Sequence, residues 1–499
     1  MKPFFLLKMY PGNIFVFFLI CFFNAGCRAF GDKLEKQPNV IIIYTDDQAQ
    51  WTVGAYGNEE VHTPNMDRLA SEGMLFTQGV TKPVCSPSRA MLLTGNYSHR
   101  VDIPDFIPRS SRYYAENGLP AGTPTIASML KKAGYATGIV GKWHLGYGEE
   151  YYPELYGFDY AQGYRYLAPG KAGRVTLDKI PYLMNGKELS PELIHDSLHA
   201  DMLAGMAIDF IRTNREKPFF LYFATFLPHG PWDAVTEEDR AHYKGRPLTV
   251  PELPPSYGVS KKTVEGKTLQ YYTAVSCVDR NIGKVFDVLE ELNLAENTIV
   301  IFIWDNGYMI GQHGLDGKGN AIVMYANEQG EISPRNKRRP NMFDNSVLVP
   351  FIIRWPDVIE PGTRNDALVS TIDILPTLAE ITGTDTGDMK IDGRSLLPLL
   401  RGKTDSNWRT AYCDTYDMIY LGNDGEKPHM RMIRTDDWKL ILYHDENGQP
   451  LDNGTRHELF NLKADPGELN NLYYEKSAED IREKLEAQLR QWMQENELK

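Results

Sequence analysis

Short and almost continuous apolar runs alternate with amphipathic segments along most of the chain. The runs have the length of strands and lack polar alternation, which is typical of strands covered on both faces. They are Asn39–Tyr44, Ala136–Val140, Pro218–Thr225, Thr298–Trp304 and Val349–Arg354. Helical spacing lies between them, at Asn65–Gly73, Thr123–Gly134, Asp196–Thr213, Lys267–Leu292 and Asp373–Thr382. This order predicts an α/β fold with a large, mostly parallel mixed sheet flanked by helices.

The pattern changes near Asn407. Strand-like segments at Met430–Arg434 and Trp438–Tyr443 are followed by a last helix that begins near Ala478. We therefore predict a large domain at residues 31–406. A smaller α+β subdomain at 407–499 would contain a small antiparallel sheet and the terminal helix.

Residues 1–30 have the pattern of an export signal, with two lysines before the apolar run Ile14–Phe23. The run is too short to span a bilayer comfortably. Two outcomes stay open, because Asn24–Cys27 resembles a lipobox whose cysteine is acylated, whereas ordinary cleavage would follow Ala29. In either case we predict an exported protein: periplasmic, secreted or a cell-surface lipoprotein.

Composition is that of a globular protein, with 42% hydrophobic and 24% charged residues among 499. The formal net charge of −13 argues against binding to nucleic acid or to an anionic membrane surface, so only a lipid anchor would attach the chain to a membrane. Cys85, Cys277 and Cys413 are the cysteines beyond the signal. Three thiols form no disulfide framework, and whether Cys277 and Cys413 pair stays open.

Polar and charged side chains directly follow four of the predicted strands. Ligands of open α/β sheets bind outside the carboxyl ends of the strands, so we expect these side chains to meet in one site. We read Lys142 and His144 as two positions of one extended segment, with both side chains on one side. The candidates are Asp46 and Asp47, Lys142 and His144, His229, and Asp305 and Asn306, with Lys318 further on.

The strongest local pattern is the segment Val84–Gly95, with the sequence VCSPSRAMLLTG. We predict a helix with Ser86 as N-cap and Pro87 as first helical residue, which places Cys85 at the positive end of the helix. Arg89 follows Cys85 by about one helical turn, so its side chain can return to the same place.

This segment resembles the Cys-x-Pro-Ser-Arg-x-x-x-Leu-Thr-Gly motif of the type I, formylglycine-dependent sulfatases, in the alkaline-phosphatase-like superfamily. The segment Gly141–Gly146 resembles the lysine-histidine motif of that family. Further similar segments are Asn39–Asp47, Thr63–Asp67, Pro228-His229, Asp305–Gly307, Glu458–Leu462 and Asp465-Pro466. The resemblance thus extends through the whole chain beyond the signal.

The resemblance implies that residues 31–406 are the catalytic domain and that the chain hydrolyses sulfate esters. A maturation enzyme would oxidise Cys85 to Cα-formylglycine. A calcium ion would be held by oxygens of the modified Cys85 and by Asp46, Asp47, Asp305 and Asn306. The residues agree with this, because oxygen donors without imidazole or thiolate suit a hard cation better than zinc.

The resemblance also implies the catalytic roles. A hydroxyl of the hydrated aldehyde would attack sulfur. Arg89 and Lys142 would orient that group, and His229 and Lys318 would hold the sulfate and assist the leaving group. His144 would take the proton that lets the sulfated diol collapse to the aldehyde. The chain departs from the family at the insertion Gly319–Asn341, which directly follows Lys318.

The sequence says least about the substrate. The inserted segment carries a basic run, Arg335, Lys337, Arg338 and Arg339. One hypothesis is a solvated loop, and the other is that the run, with His99, Arg100 and Trp232, lines the pocket and binds a sulfated polysaccharide or oligosaccharide. Two further hypotheses stay open: a phosphodiester or phosphonate-monoester hydrolase of the same superfamily, and a non-catalytic binder of sulfated glycans.

Overall fold

The computed structural model describes residues 37–108, 117–163, 183–184, 187–188, 199–233, 235–251, 260–324, 338–403, 407–420, 427–451 and 456–498. The predicted export signal at residues 1–30 lies outside this part. Residues Gln37–Lys499 cluster into one compact unit, so the boundary near residue 406 stays a prediction. No helix within the described ranges combines the length and apolar character needed to cross a membrane.

The secondary structure agrees with the alternating pattern. The strands are β1 Asn39–Thr45, β2 Met74–Val80, β3 Ala136–Gly141, β4 Tyr160–Gln162, β5 Leu183–Met184, β6 Lys187–Glu188, β7 Phe219–Ala224, β8 Thr298–Trp304, β9 Met309–Ile310, β10 Leu315–Gly317, β11 Ile322–Val323, β12 Leu348–Arg354, β13 Thr363–Ser370, β14 Ala411–Asp417, β15 His429–Thr435, β16 Trp438–His444 and β17 Glu458–Asn461. The helices are α1 Pro64–Glu72, α2 Cys85–Thr94, α3 Ile126–Lys132, α4 His199–Asn214, α5 Glu237–Ala241, α6 Lys261–Glu291, α7 Asp344–Val347, α8 Ile374–Thr382, α9 Leu397–Leu400 and α10 Glu479–Glu495.

Eight strands form the main sheet in the order β13-β2-β12-β8-β1-β7-β3-β4. The five strands from β8 to β4 are mutually parallel. β12 runs antiparallel to both of its neighbours, β8 and β2, and β13 is parallel to β2. The predicted mostly parallel mixed sheet is therefore confirmed. β2 and β13 were not predicted, because their polar residues at Thr77, Gln78 and Thr363–Asp366 interrupt the apolar pattern.

The central strand β1 explains the lack of polar alternation. All seven of its residues are buried. Ile42 and Tyr44 pack into a core on one face of the sheet with α2, α3 and α8, whereas Ile41 and Ile43 pack into a second core with α1, α4 and α6. Successive side chains of a strand point to opposite faces, so a strand between two cores must be apolar at every position.

A smaller antiparallel sheet, β14-β15-β16-β17, forms the C-terminal part of the fold. α10 covers it through Leu485 and Leu489, which pack with Ile433 and Leu440 in one hydrophobic cluster. The predicted C-terminal sheet is confirmed. Cys85, Cys277 and Cys413 are all free thiols, so the open question of a Cys277–Cys413 disulfide is answered in the negative.

Candidate active site

The ends of β1 and β8 bring three carboxylates together. Thr45 pairs with Trp304 in the parallel register, so Asp46 and Asp305 leave the sheet at the same level. The Asp47 N–H donates to Asp305 Oδ1 at 3.1 Å. Four buried residues each offer one possible metal-ligand atom, and these four atoms all lie within 4.8 Å of one another. The residues are Asp46, Asp47, Asp305 and Cys85.

The backbone after β3 differs from the extended segment predicted from sequence. Gly141 has a φ of 103° and His144 a φ of 59°, both in the left-handed region. A Cβ at Gly141 would lie 2.0 Å from the Ala224 carbonyl oxygen, so this position requires glycine. The turn sends the Lys142 ammonium to Asp46 Oδ2, while His144 Nε2 lies 3.0 Å from the Ile107 carbonyl oxygen. The two side chains therefore have different partners and do not lie on one side of an extended segment, as the sequence had predicted.

Cys85 is the first residue of α2, so the cap predicted at Ser86 was wrong by two positions. Val84 occupies the N-cap without a side-chain hydrogen bond. Ser86 Oγ accepts a hydrogen bond from the Ile107 N–H at 3.0 Å instead. Cys85 still lies at the positive end of the helix, and its Sγ lies 3.3 Å from Asp46 Oδ1.

Arg89 is fully buried and connects three elements. Its Nη2 donates to Asp305 Oδ2 at 2.8 Å and its Nη1 donates to the Lys142 carbonyl oxygen at 2.9 Å. Nη1 also donates to the Tyr222 hydroxyl at 3.3 Å, and the guanidinium lies 5.2 Å from the centre of the Tyr44 ring. Neither tyrosine was predicted as a site residue, although each places a hydroxyl inside an otherwise apolar strand.

Two further side chains, Lys318 and His229, face the cluster. The Lys318 ammonium pairs with Asp47 Oδ1 and donates to Cys85 Sγ at 2.7 Å. His229 Nε2 lies 3.6 Å from Asp47 Oδ2. Its Nδ1 donates to the Gly230 carbonyl oxygen at 2.7 Å, which leaves Nε2 directed at the site. The insertion after Lys318 therefore does not displace it from the cluster.

Burial and charge set the protonation of the site. Burial raises the pKa of Asp46, but the positive charges of Lys142, Arg89 and Lys318 outweigh it and hold that pKa well below the ordinary value. Burial and the neighbouring Asp46 raise the pKa of Asp305 to about 6.

The Cys85 thiol is a poor nucleophile in this setting. Burial, followed by the charges of Asp305 and Asp46, raises its pKa well above the ordinary value. Because the thiolate is the reactive form of cysteine, an unmodified Cys85 would be largely inert here.

The donor set fits a hard cation. Three carboxylates so close together repel one another strongly without a positive ion between them. Asn306 Oδ1 is buried without a hydrogen-bond partner among the described residues, while Asn306 Nδ2 donates to Asp47 Oδ1 at 2.8 Å. A buried amide oxygen left without a donor is suited to a metal.

The candidate substrate residues separate into two groups. Trp232 packs on Tyr271 with ring centres 5.5 Å apart, and the Tyr271 hydroxyl donates to the Asp47 carbonyl oxygen. Trp232 thus lies one aromatic ring from the acidic cluster. His99 stacks on Tyr97 with ring centres 5.6 Å apart and meets the edge of Trp492 at 6.0 Å.

Arg100 pairs with Asp392 at 3.1 Å and with Asn496 at 2.7 Å. The structure therefore places His99 and Arg100 with the C-terminal helix α10 rather than with the cluster around Cys85.

The basic run has two described members. Arg338 donates to the Asn320 carbonyl oxygen at 2.7 Å, and Arg339 pairs with Glu458 at 2.6 Å. These contacts connect the returning end of the insertion to neighbouring segments. Arg335 and Lys337 lie outside the described residues.

The fold and site define a mixed α/β protein with an acidic cluster suited to a metal ion, beside a cysteine at a helix N-terminus. The sulfatase family model matches residues 38–384, and a model for the C-terminal part of N-sulphoglucosamine sulphohydrolase matches residues 330–495. The chain therefore belongs to the sulfatase family, in the alkaline-phosphatase-like superfamily, and is a sulfuric ester hydrolase.

Relatives of known name cover most of the chain. It is 26% identical to the N-acetylglucosamine-6-O-sulfatase of Bacteroides thetaiotaomicron, over 94% of this chain and 89% of the relative. It is 30% identical to human steryl-sulfatase, over 80% and 76% respectively. The solved structure of BT4656 in complex with its substrate D-glucosamine-2-N,6-O-disulfate has the same fold, with a TM-score of 0.74 at 22% identity over 92% of this chain and 98% of that one.

Proposed function

We propose that this sulfatase removes O-sulfate groups from a carbohydrate, either a sulfated polysaccharide or an oligosaccharide derived from it. The observation that carries the proposal is Cys85, which begins α2 within contact distance of both Asp46 and Lys318. The aromatic pair Trp232 and Tyr271 beside the cluster suits the apolar face of a sugar ring. The sulfated amino sugars named for several relatives support the same class.

Conversion of Cys85 to formylglycine by a maturation enzyme supplies an aldehyde whose hydrate offers an oxygen nucleophile to sulfur. The raised pKa of the buried thiol supports this proposal, because it disfavours direct attack by sulfur of the cysteine. Arg89 fixes the helix that carries residue 85 through its bonds to Asp305 and Lys142.

Asp46, Asp47, Asp305 and Asn306 would hold a calcium ion, together with residue 85. When bound, the ion supplies positive charge that polarises a sulfate oxygen. Lys142 and Lys318 orient two of these carboxylates, Asp46 and Asp47, through their ion pairs.

Three side chains would act on the substrate. Lys318 lies beside both Asp47 and residue 85, where an ammonium group can bind a sulfate oxygen. His229 presents Nε2 to the same cluster and, when both ring nitrogens are protonated, is placed to donate a proton to the leaving oxygen. His144 would accept a proton from residue 85 in the second half of the reaction, so that sulfate is released.

We also propose that the enzyme is exported, on the pattern of residues 1–30. Soluble export and a lipid anchor at Cys27 are both compatible with that pattern. Mass analysis of the mature N-terminus, with and without an acyl group, distinguishes them.

The decisive experiment combines mass and turnover. The peptide containing Cys85 should be about 18 Da lighter than the unmodified peptide when the thiol has become an aldehyde. The converted protein should hydrolyse a sulfated amino sugar faster than a steroid sulfate or a matched aryl phosphodiester, and Cys85→Ala should abolish turnover. Faster phosphodiester cleavage, or equal turnover by Cys85→Ala, would overturn the proposal.

A further inference from the structure

The backbone of Ile107 contacts both Ser86 at the start of α2 and His144 after β3. Its N–H donates to Ser86 Oγ at 3.0 Å, and Ser86 directly follows Cys85. Its carbonyl oxygen lies 3.0 Å from His144 Nε2. Ile107 is buried, with 2% of its surface exposed, so water does not compete for these two bonds. A single residue thus joins the start of α2 to the histidine after β3.

The contact with Ile107 assigns the tautomer of His144. A carbonyl oxygen can only accept a hydrogen bond, so Nε2 must carry the hydrogen. Nδ1 is then the nitrogen of the neutral ring that can accept a proton. The orientation of this base therefore depends on where the Ile107 carbonyl is held.

Asp105 holds that carbonyl in place. Its carboxylate is buried, with 2% exposure, and Oδ1 accepts from the Phe106 N–H at 2.8 Å. Oδ2 accepts from the N–H groups of Ile419 at 2.8 Å and Tyr420 at 3.2 Å. Asp105 thereby ties the segment before Ile107 to the chain that leaves β14. Without the carboxylate, these backbone N–H groups would lose their hydrogen-bond acceptor. The segment before Ile107 would then no longer be held to the chain that leaves β14.

The backbone of His144 adds to this dependence. Its φ of 59° lies in the left-handed region, which a non-glycine residue adopts at a cost and only when its surroundings impose it. The hydrogen bond between the His144 ring and the Ile107 carbonyl oxygen is one of the contacts that hold His144 in this backbone conformation.

We infer that Asp105 and Ser86 are positioning residues for His144, and that they act through the backbone of Ile107 on the release of sulfate from residue 85. The inference rests on the proposed function, in which His144 serves the second half-reaction. It predicts a specific kinetic result: formation of sulfated residue 85 stays fast, whereas its breakdown slows.

Three variants test the inference: Ser86→Ala, Asp105→Ala and the more conservative Asp105→Asn. With excess aryl sulfate, each should release about one equivalent of phenol in a burst and then turn over roughly 10- to 100-fold more slowly than the parent, because a small misplacement of a catalytic group is costly. The value of kcat should fall while kcat/KM stays near that of the parent, since kcat/KM reports only steps up to sulfation. Intact mass should reveal sulfate on residue 85, with a smaller effect for Asp105→Asn than for Asp105→Ala.

Two controls separate the explanations. His144→Ala is the reference and should accumulate the adduct most strongly. Asp279→Ala removes another buried aspartate, 1% exposed, that accepts from the backbone N–H groups of Asn65 and Met66. It should lower stability without any adduct. All rates are referred to the fraction of residue 85 converted to aldehyde, measured by mass.

The outcomes are distinct. An adduct in His144→Ala but in neither Ser86→Ala nor Asp105→Asn would overturn the inference and leave the proposed function standing. No adduct in His144→Ala would overturn the proposed role of His144, and the inference with it. If Asp105→Ala does not fold, Ser86→Ala decides, because it removes one hydroxyl and keeps the anchor at Asp105.

Discussion

Arg89 and Asp305 form an ion pair in which neither side chain is exposed to solvent. Nη2 and Nε of Arg89 donate to the same oxygen, Oδ2, at 2.8 and 3.2 Å. The other oxygen, Oδ1, accepts from the Asp47 N–H at 3.1 Å. This pair connects the helix that carries Cys85 to the end of β8, so it holds Cys85 and the acidic cluster in a fixed relative position.

Arg89→Met should therefore destabilise the protein as well as inactivate it. Removing one partner of a buried ion pair leaves the other charge uncompensated, and we expect the free energy of unfolding to fall by roughly 3–5 kcal/mol. Urea unfolding measures this loss. The control is Arg212→Ala, whose pair with Glu291 is exposed, with an expected loss below about 1 kcal/mol. Equal losses for both variants would contradict this account of the Arg89–Asp305 pair.

Removal of the metal should lower both the activity and the stability of the protein. A chelator should abolish turnover and lower the unfolding temperature, because three close carboxylates would then repel one another. Added calcium should restore both, with roughly 2.7 kcal/mol of stabilisation at a hundredfold excess over Kd.

Asp305→Ala provides the matched control for metal removal, because it takes one carboxylate out of the cluster. Its unfolding temperature should no longer respond to chelator or calcium. A chelated parent protein that is shown by elemental analysis to be metal-free, and that keeps full activity, would exclude a catalytic metal.

A second buried ion pair connects the segment before Cys85 to the C-terminal sheet. Lys82 Nζ lies 2.6 Å from Asp414 Oδ1, and both side chains are fully buried. Lys82→Met should cost roughly 3–5 kcal/mol, whereas Lys82→Met with Asp414→Leu should recover much of that loss because no unpaired charge remains. Chemical denaturation of the parent, both single variants and the double variant gives the coupling energy. Purely additive losses would show that the two residues do not act as a pair.

The basic run provides a test of the carbohydrate proposal. Arg338 and Arg339 make defined contacts with Asn320 and Glu458, so neutralising them should disturb local structure and affect every substrate. Neutralising Arg335 and Lys337 should instead lower kcat/KM for a sulfated oligosaccharide by about tenfold or more, with little change for a small aryl sulfate, because each lost ionic contact weakens binding of a polyanion.

Arg100→Ala is the control for that experiment. Arg100 pairs with Asp392 and Asn496 near α10, so we expect little change on either substrate. An equal loss on both substrates when Arg335 and Lys337 are neutralised would reject a role of the inserted loop in glycan binding.

The sequence alone determined which chemistry the site contains. The unbroken apolar character of β1, β3, β7 and β8 indicated strands between two cores, and the ends of parallel strands necessarily meet at one edge. For that reason the position of Asp46, Asp47, Asp305 and Asn306 near one another could be predicted before any coordinate was known. The motif at Cys85 indicated the family in the same way.

Only the tertiary structure decided how the side chains pair. Arg89 donates to Oδ2 of Asp305, and the choice of that oxygen depends on how α2 is placed relative to the end of β8. The separation of Lys142 from His144 depends on left-handed backbone at Gly141 and His144, which no spacing in the sequence reveals. His99 contacts Trp492 of α10, and Arg100 contacts Asn496 just after it. These contacts require the C-terminal helix to pack against a segment almost 400 residues earlier in the chain, as the 396-residue separation of Arg100 from Asn496 shows. Hydrophobic periodicity in a sequence reflects the local preference for helix or strand, whereas such long-range contacts follow from the packing of the whole chain.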